Sequence, residues 1–161
     1  MVSRVIPVDP FDLVIFGGTG DLARRKILPA LFRRYCAGQL PGQERIIGAA
    51  RKALSCEDYR AMVAEALREY AGPKACSGGA LERFLERISY VALDAMGETG
   101  WAELASQLRP AEVAPVRMFY FSVGPSLFGP LAERLHGHGL ANADTRVVVE
   151  KPFGHNLTTA R

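Results

Sequence analysis

The feature that most constrains this sequence is an apolar segment that stops at a glycine-rich turn and runs directly into a helix-forming segment. Val14 to Phe16 is apolar, Gly17-Gly18-Thr19-Gly20 follows, and the residues from Asp21 onward favour a helix. Read from Gly18, the spacing is Gly-x-Gly-x-x-Ala, with Ala23 in the last position. Small residues at this spacing let a backbone approach a dinucleotide pyrophosphate, which the first N–H groups of the helix then face. The pattern predicts a dinucleotide site; a plain tight turn after an apolar strand is the alternative.

Short apolar runs alternate with helical stretches along the whole chain. This alternation is typical of a parallel sheet with helices on both faces, so we predict an α/β fold with a doubly wound, mostly parallel sheet of five or more strands. The predicted strands are Asp12 to Phe16, Arg45 to Ala50, Ile88 to Leu93, Val116 to Val123 and Arg146 to Glu150. The first predicted helix begins at Asp21 and is expected to kink or split at Pro29. The other predicted helices cover Glu57 to Tyr70, Leu81 to Arg87, Thr99 to Leu108 and Pro125 to Gly137.

The length of 161 residues suits one domain with its own core. We expect residues 1–161 to form a single dinucleotide-binding domain whose core runs from about residue 11 to residue 154. Residues 155–161 then begin a connecting helix that is cut short. A domain that ends on an unfinished helix is expected to be a fragment of a longer protein.

Composition excludes several function classes. The formal net charge of +3 is too small to predict a nucleic-acid groove. The three cysteines have neither a disulfide-like nor a zinc-like spacing, and His136 and His138 have no evident further ligands, so no metal site is predicted. Without an apolar run of about 18 residues or a signal peptide, no membrane span is expected, and the protein is predicted to be cytoplasmic.

Arg51 indicates the preferred coenzyme. In an NAD site an acidic residue at the end of the second strand binds the ribose 2'-OH, whereas a 2'-phosphate favours a guanidinium. Here the strand ends in Arg51-Lys52, and no acid follows before Glu57. The pattern favours NADP, with a solvated basic turn as the alternative.

Other candidate positions lie after strands one and three. Asp21 has two interpretations, capping of the helix N-terminus or contact with a ligand, and capping is favoured. Asp94 and Ala95 end the third strand on the same edge of the sheet, where contact with the adenosine half of a coenzyme is expected.

Two longer motifs resemble those of the glucose-6-phosphate dehydrogenase family. Gly17-Gly18-Thr19-Gly20-Asp21-Leu22-Ala23, followed by Arg24-Arg25-Lys26-Ile27-Leu28-Pro29, is similar to the family's coenzyme-binding motif. Arg146 to Gly154 is similar to the strand that runs into its Glu-Lys-Pro-Phe-Gly motif. Gly48 to Arg51 and Phe119 to Pro125 resemble intervening family segments, so the resemblance covers nearly the whole chain.

The resemblance implies hydride transfer from C1 of glucose 6-phosphate to NADP, giving 6-phosphogluconolactone and NADPH, in the pentose phosphate pathway. It implies that Lys151 reaches both the sugar phosphate and the nicotinamide side of the coenzyme; a surface lysine in a turn is the alternative. The Lys151-Pro152 bond is a candidate cis peptide. The coenzyme-binding set is then Gly17, Gly18, Thr19, Gly20, Asp21, Leu22, Ala23, Arg24, Arg51, Asp94, Ala95 and Lys151.

The family's general base is a histidine in an Arg-Ile-Asp-His-Tyr-Leu-Gly-Lys-Glu segment, which this sequence does not contain. We therefore expect no catalytic residue and no turnover within these 161 residues. The family's α+β domain, which completes the substrate pocket and forms the subunit interface, is also absent; a homo-oligomer is expected at full length. Two other functions stay open: a short-chain reductase or nucleotide-sugar epimerase, which needs a Tyr-x-x-x-Lys pair on a helix, and a non-catalytic NADP-sensing module.

Overall fold

Five parallel strands form one central sheet. The structure is a computed structural model and describes residues 11–38, 44–72, 79–108, 116–141 and 145–149. The strands are β1 (Phe11–Phe16), β2 (Arg45–Ala50), β3 (Ile88–Ala92), β4 (Val116–Phe121) and β5 (Thr145–Val149). Their order in the sheet is β3-β2-β1-β4-β5. This order, with β1 between β2 and β4, confirms the predicted doubly wound α/β fold.

The core lies in two layers, one on each face of the sheet. Along β1, Leu13 and Ile15 belong to one buried cluster and Val14 and Phe16 to the other. Successive side chains of a strand point to opposite faces, so an unbroken apolar run is what a strand buried on both sides requires.

Five α-helices lie in the described ranges: α1 (Leu28–Cys36), α2 (Cys56–Tyr70), α3 (Ala80–Leu85), α4 (Trp101–Gln107) and α5 (Phe128–Gly137). The first three contribute to the layer that contains Leu13, and the last two to the layer that contains Val14. Among them, α2 begins after Ser55, whose hydroxyl accepts a hydrogen bond from the Asp58 N–H at 3.0 Å.

The helix predicted from Asp21 keeps helical backbone angles at Ile27 and Leu28, so it is not split at Pro29, but its hydrogen-bond pattern changes just before the proline. A π-helical turn, Ala23–Ile27, precedes α1, and the Leu28 N–H bonds to the Ala23 carbonyl five residues earlier. Proline has no N–H to continue the α-helical ladder, which explains why the pattern changes immediately before it.

Several predicted boundaries were wrong by a few residues. The fourth strand ends at Phe121 instead of Val123, because the chain turns toward a 3₁₀ turn (Pro125–Leu127) that precedes α5. The third strand ends one residue earlier than predicted, at Ala92, and α3 ends at Leu85 instead of Arg87. In the described ranges, no helix has the length and apolar character needed to span a bilayer.

Candidate dinucleotide-binding site

The carboxyl ends of β1, β2, β3 and β4 lie along one edge of the sheet, which follows from their parallel pairing. The chain leaves β1 toward β2 on one side, whereas β4 pairs with β1 on the other, so the strand order reverses at β1. Ligands of open α/β sheets bind in the crevice outside the strand ends at such a reversal. The glycine turn therefore follows the strand at which a coenzyme is expected to bind.

Gly17 and Gly18 hold the glycine turn against the neighbouring strands. Their N–H groups both donate to the Ala49 carbonyl, at 2.8 and 3.2 Å. Gly17 has φ +83°, and a Cβ there would lie 2.1 Å from the Ser122 carbonyl oxygen. A Cβ on Gly18 would lie 2.8 Å from the Tyr59 hydroxyl. Both positions therefore require glycine for packing of the fold itself.

Gly20 lies on the open side of the same turn. Its N–H donates to the Gly17 carbonyl at 2.9 Å, and a Cβ there would meet only that carbonyl oxygen, at 3.2 Å. Thr19 and Gly20 are partly exposed, and the helical residues begin at Asp21. The outer edge of the turn thus offers the open backbone and the helix N-terminus that a pyrophosphate needs.

Asp21 pairs with arginines and does not cap the helix. Its carboxylate lies 3.3 Å from Arg24 and 3.2 Å from Arg25; the Asp21 and Arg25 side chains are well exposed, and Arg24 is partly exposed. In the described ranges this carboxylate accepts no backbone N–H, so the favoured capping interpretation was wrong. The reason is positional: Asp21 is already helical and Gly20 precedes it, so two arginines one turn ahead are the nearer donors.

The remaining residues of the motif, Leu22, Ala23 and Arg24, lie in the helix and divide between core and surface. Ala23 is fully buried against the sheet, and Leu22 packs on the same cluster. Arg24 is partly exposed, although its Nε atom is buried and has no hydrogen-bond partner in the described ranges. Ala23 thus provides the close helix packing that its place in the motif predicts.

A cleft of about 300 Å³ opens at the carboxyl ends of β1, β2 and β3. Its walls contain the predicted residues Gly17, Arg51, Asp94 and Ala95. The other lining residues are Phe16, Ala49, Ala50, Leu93, Met96, Val123 and Leu127. The cleft is mostly apolar with a guanidinium at its side, which suits a flat aromatic base beside an anionic group.

Arg51 and Asp94 differ in how firmly they are held. The Arg51 side chain is exposed, and no hydrogen bond or ion pair joins it to the described part of the chain. Asp94 is fixed by its own turn: its carboxylate accepts the Met96 N–H at 3.0 Å, and its carbonyl accepts the Trp101 indole N–H at 3.1 Å. Arg51 is therefore available to a ligand, whereas one oxygen of Asp94 already has a partner.

Two tyrosines behind the cleft were not recognised from the sequence. The Tyr59 hydroxyl donates to the Gly18 carbonyl at 2.9 Å, and the Tyr90 hydroxyl lies 2.5 Å from the Lys52 carbonyl and 3.1 Å from the Ala50 carbonyl. Burial raises the pKa of both phenols.

The sequence did contain one signal for this packing, a glycine in the middle of a buried strand. A Cβ on Gly48 would lie 2.4 Å from the Tyr59 ring, so β2 needs glycine where the ring crosses it. Glycine inside a strand marks a close approach of this kind.

Comparison with known proteins assigns the chain to a family. Residues 14–161 match the model described as "Glucose-6-phosphate dehydrogenase, NAD binding domain". This chain belongs to the glucose-6-phosphate dehydrogenase family.

Relatives in the glucose-6-phosphate dehydrogenase family agree along nearly the whole chain. A glucose-6-phosphate 1-dehydrogenase from Rhizobium meliloti is 44% identical over 99% of this chain and 32% of its own length, and one from Gluconobacter oxydans is 46% identical over 95% and 32%. The solved structure "Glucose-6-phosphate dehydrogenase in complex with its substrate glucose-6-phosphate" is similar with TM-score 0.77 and 34% identity, over 94% of this chain and 32% of that one. The chain spans about a third of the length of these relatives.

The matched family model describes a dinucleotide-binding domain, in agreement with the domain type predicted from the glycine turn. Gly17, Arg51, Asp94 and Ala95 line one cleft, with Thr19 and Gly20 in the turn that begins at Gly17. Lys151, the proposed Lys151-Pro152 cis bond and residues 155–161 lie outside the described residues, and the predictions for them stay predictions.

Proposed function

We propose that the intact protein is an NADP-dependent glucose-6-phosphate 1-dehydrogenase, with the described cleft and glycine turn as its coenzyme site. The observation that carries the choice of NADP is the end of β2, where an exposed Arg51 lines the cleft without a partner among the described residues, and where the strand itself supplies no carboxylate. A guanidinium suits a 2'-phosphate, whereas a carboxylate suits the 2'-OH of NAD.

The residues present fit such a coenzyme at three points. The open side of Gly20 and the helix that follows suit the pyrophosphate, because within the described residues only the Gly17 carbonyl oxygen lies within 4 Å of a Cβ placed on Gly20. The apolar walls between Phe16, Leu93 and Met96 suit the adenine ring. Arg51, supported by Lys52, suits the 2'-phosphate.

When bound, the coenzyme supplies the acceptor for the hydride that leaves C1 of glucose 6-phosphate. We assign to Lys151 the orientation of the sugar phosphate, because it follows β5 and the carboxyl ends of the parallel strands share one edge. The family resemblance assigns the base for the C1 hydroxyl proton to a segment that the printed sequence does not contain.

The test is an assay of the intact protein with glucose 6-phosphate, following NADPH or NADH formation. We expect oxidation of the sugar phosphate with a higher kcat/KM for NADP than for NAD. Lys151→Ala should lower kcat strongly, because an ammonium positioned in a partly dry site both orients substrate and stabilises charge. Turnover and KM close to wild type in Lys151→Ala would contradict the role given to this lysine.

Two other functions predict different results. A non-catalytic NADP-sensing module would bind NADP through the same turn and Arg51 but would neither bind nor oxidise glucose 6-phosphate. A short-chain reductase needs Tyr-x-x-x-Lys on one helix. Tyr70 and Lys74 have that spacing, but α2 ends at Tyr70 and Gly72-Pro73 lie between them, which disfavours this function.

We further propose that the intact protein works in the cytoplasm as a homo-oligomer. The family resemblance supports the homo-oligomer, because it attributes the subunit interface to the α+β domain. Light scattering of the intact protein gives its subunit number directly, and a monomeric mass would contradict this part of the proposal.

A further inference from the structure

Two buried tyrosines connect the two loops that are proposed to bind phosphate groups. Tyr59 comes from α2 and Tyr90 from β3, and their ring centroids are 4.8 Å apart. Tyr59 is 0% exposed and Tyr90 3% exposed. They lie on the face of the sheet that carries Leu13, behind the strand ends, and so do not line the cleft.

Each hydroxyl is engaged by a different loop. The phenol of Tyr59 donates to the Gly18 carbonyl in the glycine turn. The phenol of Tyr90 has a single hydrogen and two carbonyl neighbours, of which Lys52 at 2.5 Å is closer than Ala50 at 3.1 Å. Since a carbonyl only accepts, Tyr90 donates mainly to Lys52.

The hydrogen bond from Tyr90 spans the residue that is proposed to select the coenzyme. Arg51 lies between the two carbonyls that Tyr90 contacts, and residues 51–53 are exposed and leave the strand. The Ala50 carbonyl also accepts the Leu93 N–H at 2.7 Å and is satisfied without the phenol. For the Lys52 carbonyl, Tyr90 supplies the only hydrogen bond within the described residues.

We propose that Tyr90 is a specificity-determining positioning residue, which holds the turn at residues 50–52 so that the Arg51 guanidinium meets the 2'-phosphate. Tyr59 positions the glycine turn and so affects any dinucleotide, with or without that phosphate. The inference rests on the proposed NADP-binding function. The two tyrosines then have different roles: Tyr90 affects the preference between NADP and NAD, and Tyr59 affects the affinity for both coenzymes.

The experiment measures the dissociation constants of NADP and NAD for the intact protein and its variants by titration calorimetry. In Tyr90→Phe we expect NADP to bind about three- to tenfold more weakly, as for one lost hydrogen bond, and NAD to change less than twofold. In Tyr59→Phe both coenzymes should weaken by a similar factor. In an Arg51→Ala background, adding Tyr90→Phe should change NADP binding less than twofold, because the positioned group is gone.

Two control variants distinguish a loss of Arg51 positioning from a general destabilisation of the protein. Tyr35→Phe also removes a phenol hydroxyl, one with no hydrogen bond in the described ranges, and should leave both dissociation constants unchanged. Ala53→Gly loosens the turn with every hydroxyl and charge in place, and should reproduce the selective loss of NADP affinity. It serves as the test if Tyr90→Phe does not fold.

The outcomes distinguish this inference from the proposed function. Equal weakening of NADP and NAD in Tyr90→Phe, or no weakening of either, overturns the positioning role. If Arg51→Ala leaves the ratio of the two dissociation constants unchanged, the proposed NADP role of Arg51 fails first, and the role of Tyr90 fails with it. An Arg51 effect without a Tyr90 or Ala53 effect overturns the inference alone.

Discussion

Gly18 and Gly20 lie two residues apart in one turn, yet their surroundings differ. A Cβ on Gly18 would meet the Tyr59 hydroxyl, the Gly48 Cα and the Ile15 carbonyl within 3.2 Å, whereas a Cβ on Gly20 would meet only the Gly17 carbonyl. The inner edge of the turn, Gly17 and Gly18, is thus filled by protein, and the outer edge at Gly20 is open. One motif therefore combines two glycines that the packing of the fold requires with a third, Gly20, whose open side we propose for the coenzyme.

The largest effect is expected at the inner edge. Gly17→Ala should lower the free energy of unfolding by about 3 kcal/mol or more, because it combines a φ of +83° with a backbone oxygen 2.1 Å from the new Cβ. Urea denaturation of the intact protein measures this.

Gly38→Ala is the matched control for Gly17→Ala. Gly38 also has positive φ, +75°, but its Cβ would meet nothing within 4 Å. The control isolates backbone strain, for which a loss of about 1 kcal/mol is expected. Equal losses at Gly17 and Gly38 would show that the close approach to Ser122 does not matter.

At the outer edge the loss should be in binding and not in folding. Gly20→Val should weaken coenzyme binding by about a hundredfold or more, because the branched side chain would occupy the space proposed for the pyrophosphate, and each charge-assisted hydrogen bond lost there costs about 1.5 to 3 kcal/mol. Its circular dichroism spectrum should match wild type. Gly137→Val, at an exposed glycine of α5 with open space around it, should leave binding unchanged. Calorimetric affinity close to wild type in Gly20→Val would make the turn purely structural.

Arg51 permits a finer test of the open side of the site. Arg51→Ala should reduce the NADP-to-NAD ratio of kcat/KM by about ten- to a hundredfold, the value of one charge-assisted contact. Arg68→Ala, an exposed arginine on α2, is the control and should leave the ratio unchanged. An unchanged ratio in Arg51→Ala would remove the assignment of the 2'-phosphate to this residue.

The open side of the candidate site, with the outer edge of the turn at Gly20, was predictable from the sequence. The packing behind the inner edge of the turn, at Gly17 and Gly18, was not. The glycine spacing, Arg51 and Asp94 follow strands that apolar runs reveal, and parallel strands bring their carboxyl ends to one edge. The need for glycine at Gly18 comes from Tyr59, a helix residue 41 positions later. Local sequence patterns do not encode which side chain of an apolar helix face crosses which strand. Gly48 therefore indicated a close approach to β2, but the sequence did not show that Tyr59 makes it.

The smallest effect concerns alkaline stability and tests the filled side alone. Burial raises the pKa of Tyr59 above its ordinary value of 10.0. Above pH 10 the unfolded chain loses this proton, whereas the folded protein keeps it. The contribution of the protonated Tyr59 phenol to the free energy of unfolding is therefore complete below pH 10 and declines as the pH rises beyond that value. The slope is about 1.4 kcal/mol per pH unit for one fully buried group. Tyr59→Phe should therefore show a shallower decline in the free energy of unfolding between pH 10 and 11 than wild type, as measured by urea denaturation at each pH. Parallel slopes for wild type and Tyr59→Phe would show that this phenol titrates freely, and that the inner edge of the turn is more open to water than the packing of Gly18 and Gly48 indicates.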